Sequence, residues 1–199
     1  MVGQNKVGTA LWSHLLRLRG IEAAALIEFA VALPLLVVLV IGIFDFGGAF
    51  NLKQELNNAV REGARFGASQ PTNDMLNSGT PPTVDAVRYL VASYLQAMRV
   101  NDCGLSTMPA PGGISAPWTW TYSTTGACPS ALVLTIQRPC MSPNCPVITG
   151  GTNVYMADTY VQISYPYSWH FNNVIQLLVP GANYTLTNII TNATAANMD

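Results

Sequence analysis

The chain has 199 residues, of which 50% are hydrophobic and only 10% are charged, and its formal net charge is -1. This length corresponds to about one domain, and the composition is unusually apolar for a wholly soluble domain. The near-zero net charge supplies no basic field to hold a phosphate backbone, so nucleic-acid binding is disfavoured.

The first predicted element is an apolar helix over residues 23–44. At 1.5 Å per residue it would be roughly 33 Å long, which matches the hydrocarbon core of a bilayer. No charged residue occurs from Phe29 to Phe44, which favours a transmembrane helix over a buried core helix. A secretory signal peptide would have a shorter apolar region that ends at a small-residue cleavage site. We therefore favour a retained anchor.

Residues 1–22 precede this helix as a predicted cytoplasmic leader. The leader contains Lys6, Arg17 and Arg19 and has no acid before Glu22, whereas basic and acidic residues are interleaved after the helix. This distribution places the N-terminus in the cytoplasm and the C-terminal half outside. All four cysteines lie in that half, which is typical of an oxidising compartment and agrees with this orientation.

The helical pattern continues over residues 45–68 as a predicted extension. Within it Ala59, Gly63 and Gly67 recur every four residues and form a ladder of small side chains, which permits close approach of another helix. The same pattern fits an amphipathic helix packed on its own domain, and both alternatives stay open. Inside the apolar run, Pro34 removes one backbone hydrogen bond and predicts a bend or local loosening.

Residues 19–69 closely resemble the TadE-like family, the pseudopilins or minor pilins of the tight-adherence branch of type IV pilus systems. The resemblance is carried by "RGIEAAALIEFAVALP" and "GIFDFGGAFNLKQELNNAVREGARFGAS". Its elements are a basic residue and Gly before a small-residue stretch, then Glu28 followed by Phe29, Pro34, and the FDFG sequence that closes the apolar run. About a quarter of the chain is covered.

The resemblance implies a role in assembly for Glu28, within a motif that includes Phe29 and Pro34. In type IV pilin-like proteins a prepilin peptidase cuts on the cytoplasmic side of the helix. The acid five residues into the mature chain is thought to pair with the new amino terminus of a neighbouring subunit. The alternative is an acid near the membrane interface that snorkels to the lipid headgroups.

The cleavage site departs from the family pattern. Counting back from Glu28 places the cut between Ala23 and Ala24, whereas the expected Gly is Gly20, three residues earlier. Three outcomes stay open: cleavage after Ala23, cleavage after Gly20, and an uncleaved chain that serves as a permanent anchor.

Beyond the long helix, residues 69–83 are predicted as a turn-rich linker and residues 84–199 as a small extracytoplasmic domain. Thr83 is the predicted N-cap of a second helix, with Asp85 in its first turn. Four segments alternate, or are rich in β-branched and aromatic residues, and predict an antiparallel sheet packed on the helices: 118–124, 131–138, 159–169 and 184–191. The predicted fold class is therefore α+β.

Cys103, Cys128, Cys140 and Cys145 predict two disulfides, and four cysteines allow three connectivities. A bond between Cys103 and Cys128 would join the second helix to the first strand, and one between Cys140 and Cys145 would close a short loop. A structural zinc is the rival interpretation. CxxC pairs are absent and neither histidine lies nearby, so we predict no metal.

No catalytic constellation is predicted. The sequence has no nucleophile elbow, no phosphate-binding Gly loop and no HExxH helix. His170 lies near Ser168 and Asp158 in sequence, but sequence proximity is not the geometry that a triad needs. We therefore predict no enzymatic activity and no cofactor, and assign His170 to a strand edge or a partner contact.

Two hypotheses of function remain. The first is a structural or assembly subunit of a tight-adherence pilus in the bacterial inner membrane. Its partners would be other pilin or pseudopilin subunits, the prepilin peptidase, the pilus assembly machinery and the lipid bilayer. The second is a permanently anchored periplasmic or extracellular binding module, whose adhesive or ligand-contacting surface would consist of five aromatic residues: Trp118, Trp120, Tyr165, Tyr167 and Trp169. Because these residues alternate along predicted strands, most of them are expected in the core instead.

Overall fold

The computed structural model describes residues 6–76, 79–111, 118–126, 128–140, 158–169, 172, 176, 181 and 186–197. Among these residues, two long α-helices and a four-stranded antiparallel sheet confirm the predicted α+β class. The helices are α1 (Lys6–Ala68) and α2 (Pro82–Ala97), and the strands are β1 (Thr119–Thr124), β2 (Leu132–Cys140), β3 (Asp158–Ser168) and β4 (Leu186–Ala196). Short 3-10 helices occur at Asn73–Leu76 and Leu105–Thr107.

One uninterrupted helix, α1, contains both the predicted transmembrane helix and its predicted extension. Its 63 residues make it about 95 Å long, and the helix continues through Pro34. The C-terminal part of α1 contributes a buried face to the core: Leu56, Ala59, Val60, Ala64 and Ala68. The part before residue 45 contributes no buried side chain among those that the structure describes.

The sheet is a meander in the order β1-β2-β3-β4, with each strand antiparallel to the next. Its inner face packs on α1 and α2, and the register places Trp120 beside Ile136 and Ile136 beside Val161, all three buried. Alternate residues point to opposite faces, which produces the buried and partly exposed alternation of β1 and β3. The four predicted segments all coincide with strands.

Helix α2 begins earlier than predicted, and its cap is a different residue. The N-cap position is Pro81, and Pro82 is the first helical residue, where a fixed φ suits the first turn. The backbone N–H of Thr83 donates to Oδ2 of Asp74 at 3.1 Å. A carboxylate at this end is also favoured by the helix dipole. The prediction of Thr83 as N-cap is therefore wrong, because Asp74 from the predicted linker supplies the acceptor.

The ladder of small residues packs on the chain's own domain. Ala59 is fully buried. A Cβ placed at Gly63 would lie 2.8 Å from Cγ2 of Val91 in α2, and one at Gly67 would lie 2.6 Å from Cγ2 of Thr159 in β3. The ladder thus mediates helix packing within the chain. Of the two alternatives, this contact favours packing on the chain's own domain, because α2 and β3 lie against this face.

A disulfide joins Cys103, in the loop after α2, to Cys128, in the turn between β1 and β2, with Cα atoms 5.3 Å apart. The turn approaches so closely that a Cβ at Gly126 would overlap the carbonyl oxygen of Cys103. Because the sulfur atoms of Cys103 and Cys128 are bonded to each other, a zinc site made of all four cysteines is incompatible with this disulfide. Cys140 is the last residue of β2, and Cys145 lies outside the described residues, so their pairing stays a prediction.

We predict that Gly63→Leu destabilises the folded domain by about 1 to 3 kcal/mol, because the added side chain would displace Val91 from a packed core. Thermal unfolding of the detergent-solubilised full chain, followed by near-ultraviolet circular dichroism, measures this change. The matched control is Gly47→Leu on the same helix, since a Cβ at Gly47 meets nothing within 4 Å. Equal melting temperatures in the two variants would contradict the packing described here.

Candidate membrane span and assembly site

The N-terminal part of α1 that precedes the domain is a bare apolar helix. From Ala24 onward it is long and apolar enough to cross a membrane, and none of its most apolar window is buried. Phe44 is 77% exposed and Leu35 73% exposed. An apolar surface of this extent marks a membrane or protein contact. Other large apolar side chains exposed on this part of α1 are Leu26, Ile27, Phe29, Val31, Leu33, Leu36, Val37, Leu39, Val40 and Ile43.

Glu28 lies exposed near the start of this bare helix, flanked by Ile27 and Phe29, which are also exposed. Within the described part of the chain, no hydrogen bond or ion pair involves its carboxylate. At the centre of a bilayer an acid costs about 2.5 to 3.5 kcal/mol on insertion scales, and a partner charge offsets part of that cost. Glu28 is therefore available to a cation on another molecule.

The candidate processing positions lie in the helical backbone just before Glu28. Ala24 precedes it by about 6 Å along the axis, and Gly20 by about 12 Å. Ala24 is exposed. Pro34, the third member of the sequence motif, is exposed as well and lies about 9 Å beyond Glu28. These positions follow one another along one helix, as their spacing in the sequence requires.

A second acid, Asp45, lies where the bare helix meets the domain, and it is only 5% exposed. The hydroxyl of Tyr167, near the end of β3, lies 3.0 Å from Oδ1 of Asp45 and 3.2 Å from its carbonyl oxygen. Gly48 permits this approach, because a Cβ there would lie 3.3 Å from the tyrosine oxygen. Asp45 is thus hydrogen-bonded within its own chain, whereas Glu28 has no such partner among the side chains that the structure describes.

Burial raises the pKa of Tyr167 to about 12, and the hydrogen bond to Asp45 and the charge of that carboxylate act in the same direction. The phenol therefore stays protonated and remains a donor at neutral pH. The two acids are 17 residues apart along α1, which is about 26 Å. They mark the two ends of the bare apolar helix.

Aromatic rings surround the contact between Asp45 and Tyr167. The centroid of Trp169 lies 5.1 Å from that of Phe46 and 5.0 Å from that of Tyr167, the latter in an edge-to-face arrangement. The indole N–H of Trp169 donates to Oγ1 of Thr187 at 2.8 Å. We call Asp45, Phe46, Tyr167 and Trp169 the junction, because they connect the bare helix to the C-terminal end of β3.

The five aromatic residues predicted as an adhesive surface do not form one. Trp120 is fully buried, and Tyr165 is nearly so and donates its hydroxyl proton to the carbonyl of Asn101. Tyr167 and Trp169 belong to the junction, and Trp118 is half-buried against the core. Alternation along the strands directs these rings inward, as expected for core residues, and the alternative of an adhesive surface built from them has no support. His170 lies outside the described residues.

Two buried arginines connect separate segments of the domain by hydrogen bonds, and neither of them is predicted from the sequence. Arg88 is paired with Asp85 at 2.8 Å and also donates to the carbonyl of Leu105. Arg138 is fully buried and donates to the carbonyl of Gln70 at 2.6 Å, just beyond the end of α1. The spacing of Asp85 and Arg88 on one helix is a signal in the sequence, whereas Arg138 and Gln70 are too far apart in the chain to give one.

Comparison with known proteins supports the same region. The family model for TadE-like proteins matches residues 23–65. The match includes the bare helix, Glu28, Asp45 and most of the buried face of α1, and it confirms the resemblance for this part of the chain. It covers about a fifth of the chain. No curated protein and no solved structure matches the chain significantly.

We predict that Tyr167 titrates near pH 12. The difference in ultraviolet absorbance between the wild type and Tyr167→Phe, followed as a function of pH, measures this titration. Because the folded pKa is raised above the ordinary value near 10, the contact stabilises the fold fully below about pH 10. That contribution is lost as the pH rises toward 12.

Asp45→Asn is the companion variant. It removes the negative charge but keeps most of the burial, so the pKa of Tyr167 should fall from about 12 while staying above its ordinary value. An unchanged titration of Tyr167 in Asp45→Asn would show that the two side chains do not interact.

Proposed function

We propose that the chain is a pilin-like structural or assembly subunit of a tight-adherence pilus. Helix α1 inserts into the bacterial inner membrane with the N-terminus in the cytoplasm and the domain on the outer side. The observation that carries this proposal is the uncovered carboxylate of Glu28 on a bare apolar helix whose continuation forms the core of a folded domain.

The contrast between Glu28 and Asp45 separates an assembly helix from a plain anchor. An anchor needs only apolar surface, and an acid near its start adds a cost without a benefit. Asp45 already has its donor in Tyr167 of the same chain. Glu28 has none among the described residues, so the acid is explained by a cation that another subunit supplies.

The new amino terminus of a processed neighbour is the cation that fits this position. Cleavage before Ala24 or before Ile21 would leave a positively charged amine within about 6 to 11 Å of Glu28 along the axis of each helix. A small axial shift between adjacent subunits would then bring the amine of one to the carboxylate of the next. The partners in this proposal are other pilin or pseudopilin subunits, the prepilin peptidase and the assembly machinery, and the proposal includes no enzymatic activity.

The rigid connection between helix and domain also fits a filament subunit. Because α1 is continuous and the hydrogen bond between Tyr167 and Asp45 joins β3 to it, the domain is connected to the membrane span by a helix rather than by a flexible linker. A subunit that moves between a membrane and a filament then carries its domain in one fixed orientation. A tethered binding module has no need of this constraint.

Glu28→Gln tests the proposal. The substitution keeps the size of the side chain and removes its charge, so membrane insertion should be retained while the yield of sheared pili falls about tenfold or more, since loss of one partner of a poorly solvated ion pair exceeds about 1.4 kcal/mol. Immunoblots of membrane and filament fractions report both quantities.

Glu62→Gln is the matched control. Glu62 is an exposed glutamate on the same helix, and its contact with Arg65 is a loose surface pair at 3.9 Å. Piliation should be normal in this variant. Normal piliation in Glu28→Gln as well would contradict the proposed charge pairing.

A further inference from the structure

We propose that the junction lies in the headgroup layer of the membrane, with Trp169 as an interfacial anchor, so that the domain rests on the lipid surface by the end of β3. This inference rests on the proposed membrane span of α1. It assigns a partner, the outer-side lipid headgroups, to a part of the domain far in sequence from the apolar helix.

The position follows from distances along α1. Residues Ala24 to Phe44 account for about 31 Å, which is the thickness of the hydrocarbon core. Phe46 lies about 3 Å farther along the axis, within a headgroup layer that is about 5 to 7 Å thick on each side. The ring of Trp169 is 5.1 Å from the ring of Phe46. The domain therefore reaches the lipid at this point.

The polarity of the junction suits this layer. Between Glu28 and Lys53 the sequence contains one charged residue, Asp45, which is buried and hydrogen-bonded to Tyr167. The N–H of Trp169 is already donated to Thr187, so its ring does not need water. Rings with an apolar body and a polar end are those that concentrate at membrane interfaces.

Exposed rings on α1 continue the same band. Phe46 is 63% exposed and Phe50 is 65% exposed, one turn apart on the helix. Lys53 follows about one turn later, where its ammonium group can reach lipid phosphates while its stem lies along the apolar surface. The apolar surface of α1 thus extends to the level of the junction and ends at a cation.

Trp118 provides an internal reference at the opposite end of the domain. Its carbonyl accepts from the backbone N–H of Arg138 at 3.0 Å, and Arg138 in turn contacts Gln70 just beyond the end of α1. Ala68, the last residue of α1, lies about 35 Å along the axis from Asp45. Trp118 is therefore far from the membrane if Trp169 lies at the membrane surface.

Depth-dependent fluorescence quenching tests the inference on the full chain. Trp12, on the N-terminal side of the span, is replaced in every variant by Trp12→Phe. The protein is reconstituted in vesicles of phosphatidylglycerol and phosphatidylcholine whose phosphatidylcholine carries bromine either near the headgroup or near the chain terminus. Iodide in the buffer reports exposure to water, and flotation of the vesicles reports insertion of α1.

The expected result is that bromine near the headgroup quenches the emission, and that adding Trp169→Phe removes about half or more of this quenching. Adding Trp118→Phe instead should leave it unchanged. Near-ultraviolet circular dichroism checks the fold, and Trp169→Tyr replaces Trp169→Phe if the latter unfolds.

If iodide quenches the emission of Trp169 and shallow bromine does not, the inference is overturned while the membrane span stands. Stronger quenching by bromine at the chain terminus also overturns it, because the junction would then lie in the hydrocarbon. Failure of the chain to float with the vesicles overturns the span and the inference together.

Discussion

The structure depends on one constraint: a single unbroken helix, α1, is packed in the domain core over one part of its length and exposes apolar side chains over the other. The C-terminal half of α1 is a core element of the domain, where Leu56 and Val60 are fully buried. Its N-terminal half has no protein cover among the described residues. Because the helix does not end between the two, any orientation of the apolar half fixes the orientation of the domain. The contact between Asp45 and Tyr167 reinforces this coupling where the two halves meet.

The use of each helix face follows from the same constraint. The close-packing surface formed by Gly63 and Gly67 lies against α2 and β3, so it holds the domain to the helix. The apolar side chains before Phe46 and the carboxylate of Glu28 remain for lipid or for other subunits. The face that packs on the domain and the exposed apolar surface thus lie on different segments of one helix, and the matched family region includes parts of both.

The sequence predicted the features that leave local patterns, and it missed those that depend on distant residues. Hydrophobic periodicity located α1, α2 and the four strands, because side-chain spacing reports burial directly. The local pattern indicates Thr83 as the N-cap of α2 and gives no sign of the true acceptor, Asp74, because Asp74 reaches the helix only after the linker folds back. The pairing of Asp45 with Tyr167 joins residues 122 apart in the chain, and no local pattern specifies it. The ladder of small residues could be recognised from the sequence, but the elements that pack on it, α2 and β3, could not.

The intact mass of the non-reduced protein, taken from native membranes and from sheared filaments, tests the assignment to a pilus. A pilus subunit should be found in filaments as a mature chain that begins at Ala24 or Ile21 and is lighter by a pair of hydrogen atoms for each disulfide, including that between Cys103 and Cys128. A chain with its leader intact, confined to membranes, would contradict the assignment to a pilus and indicate a permanent anchor.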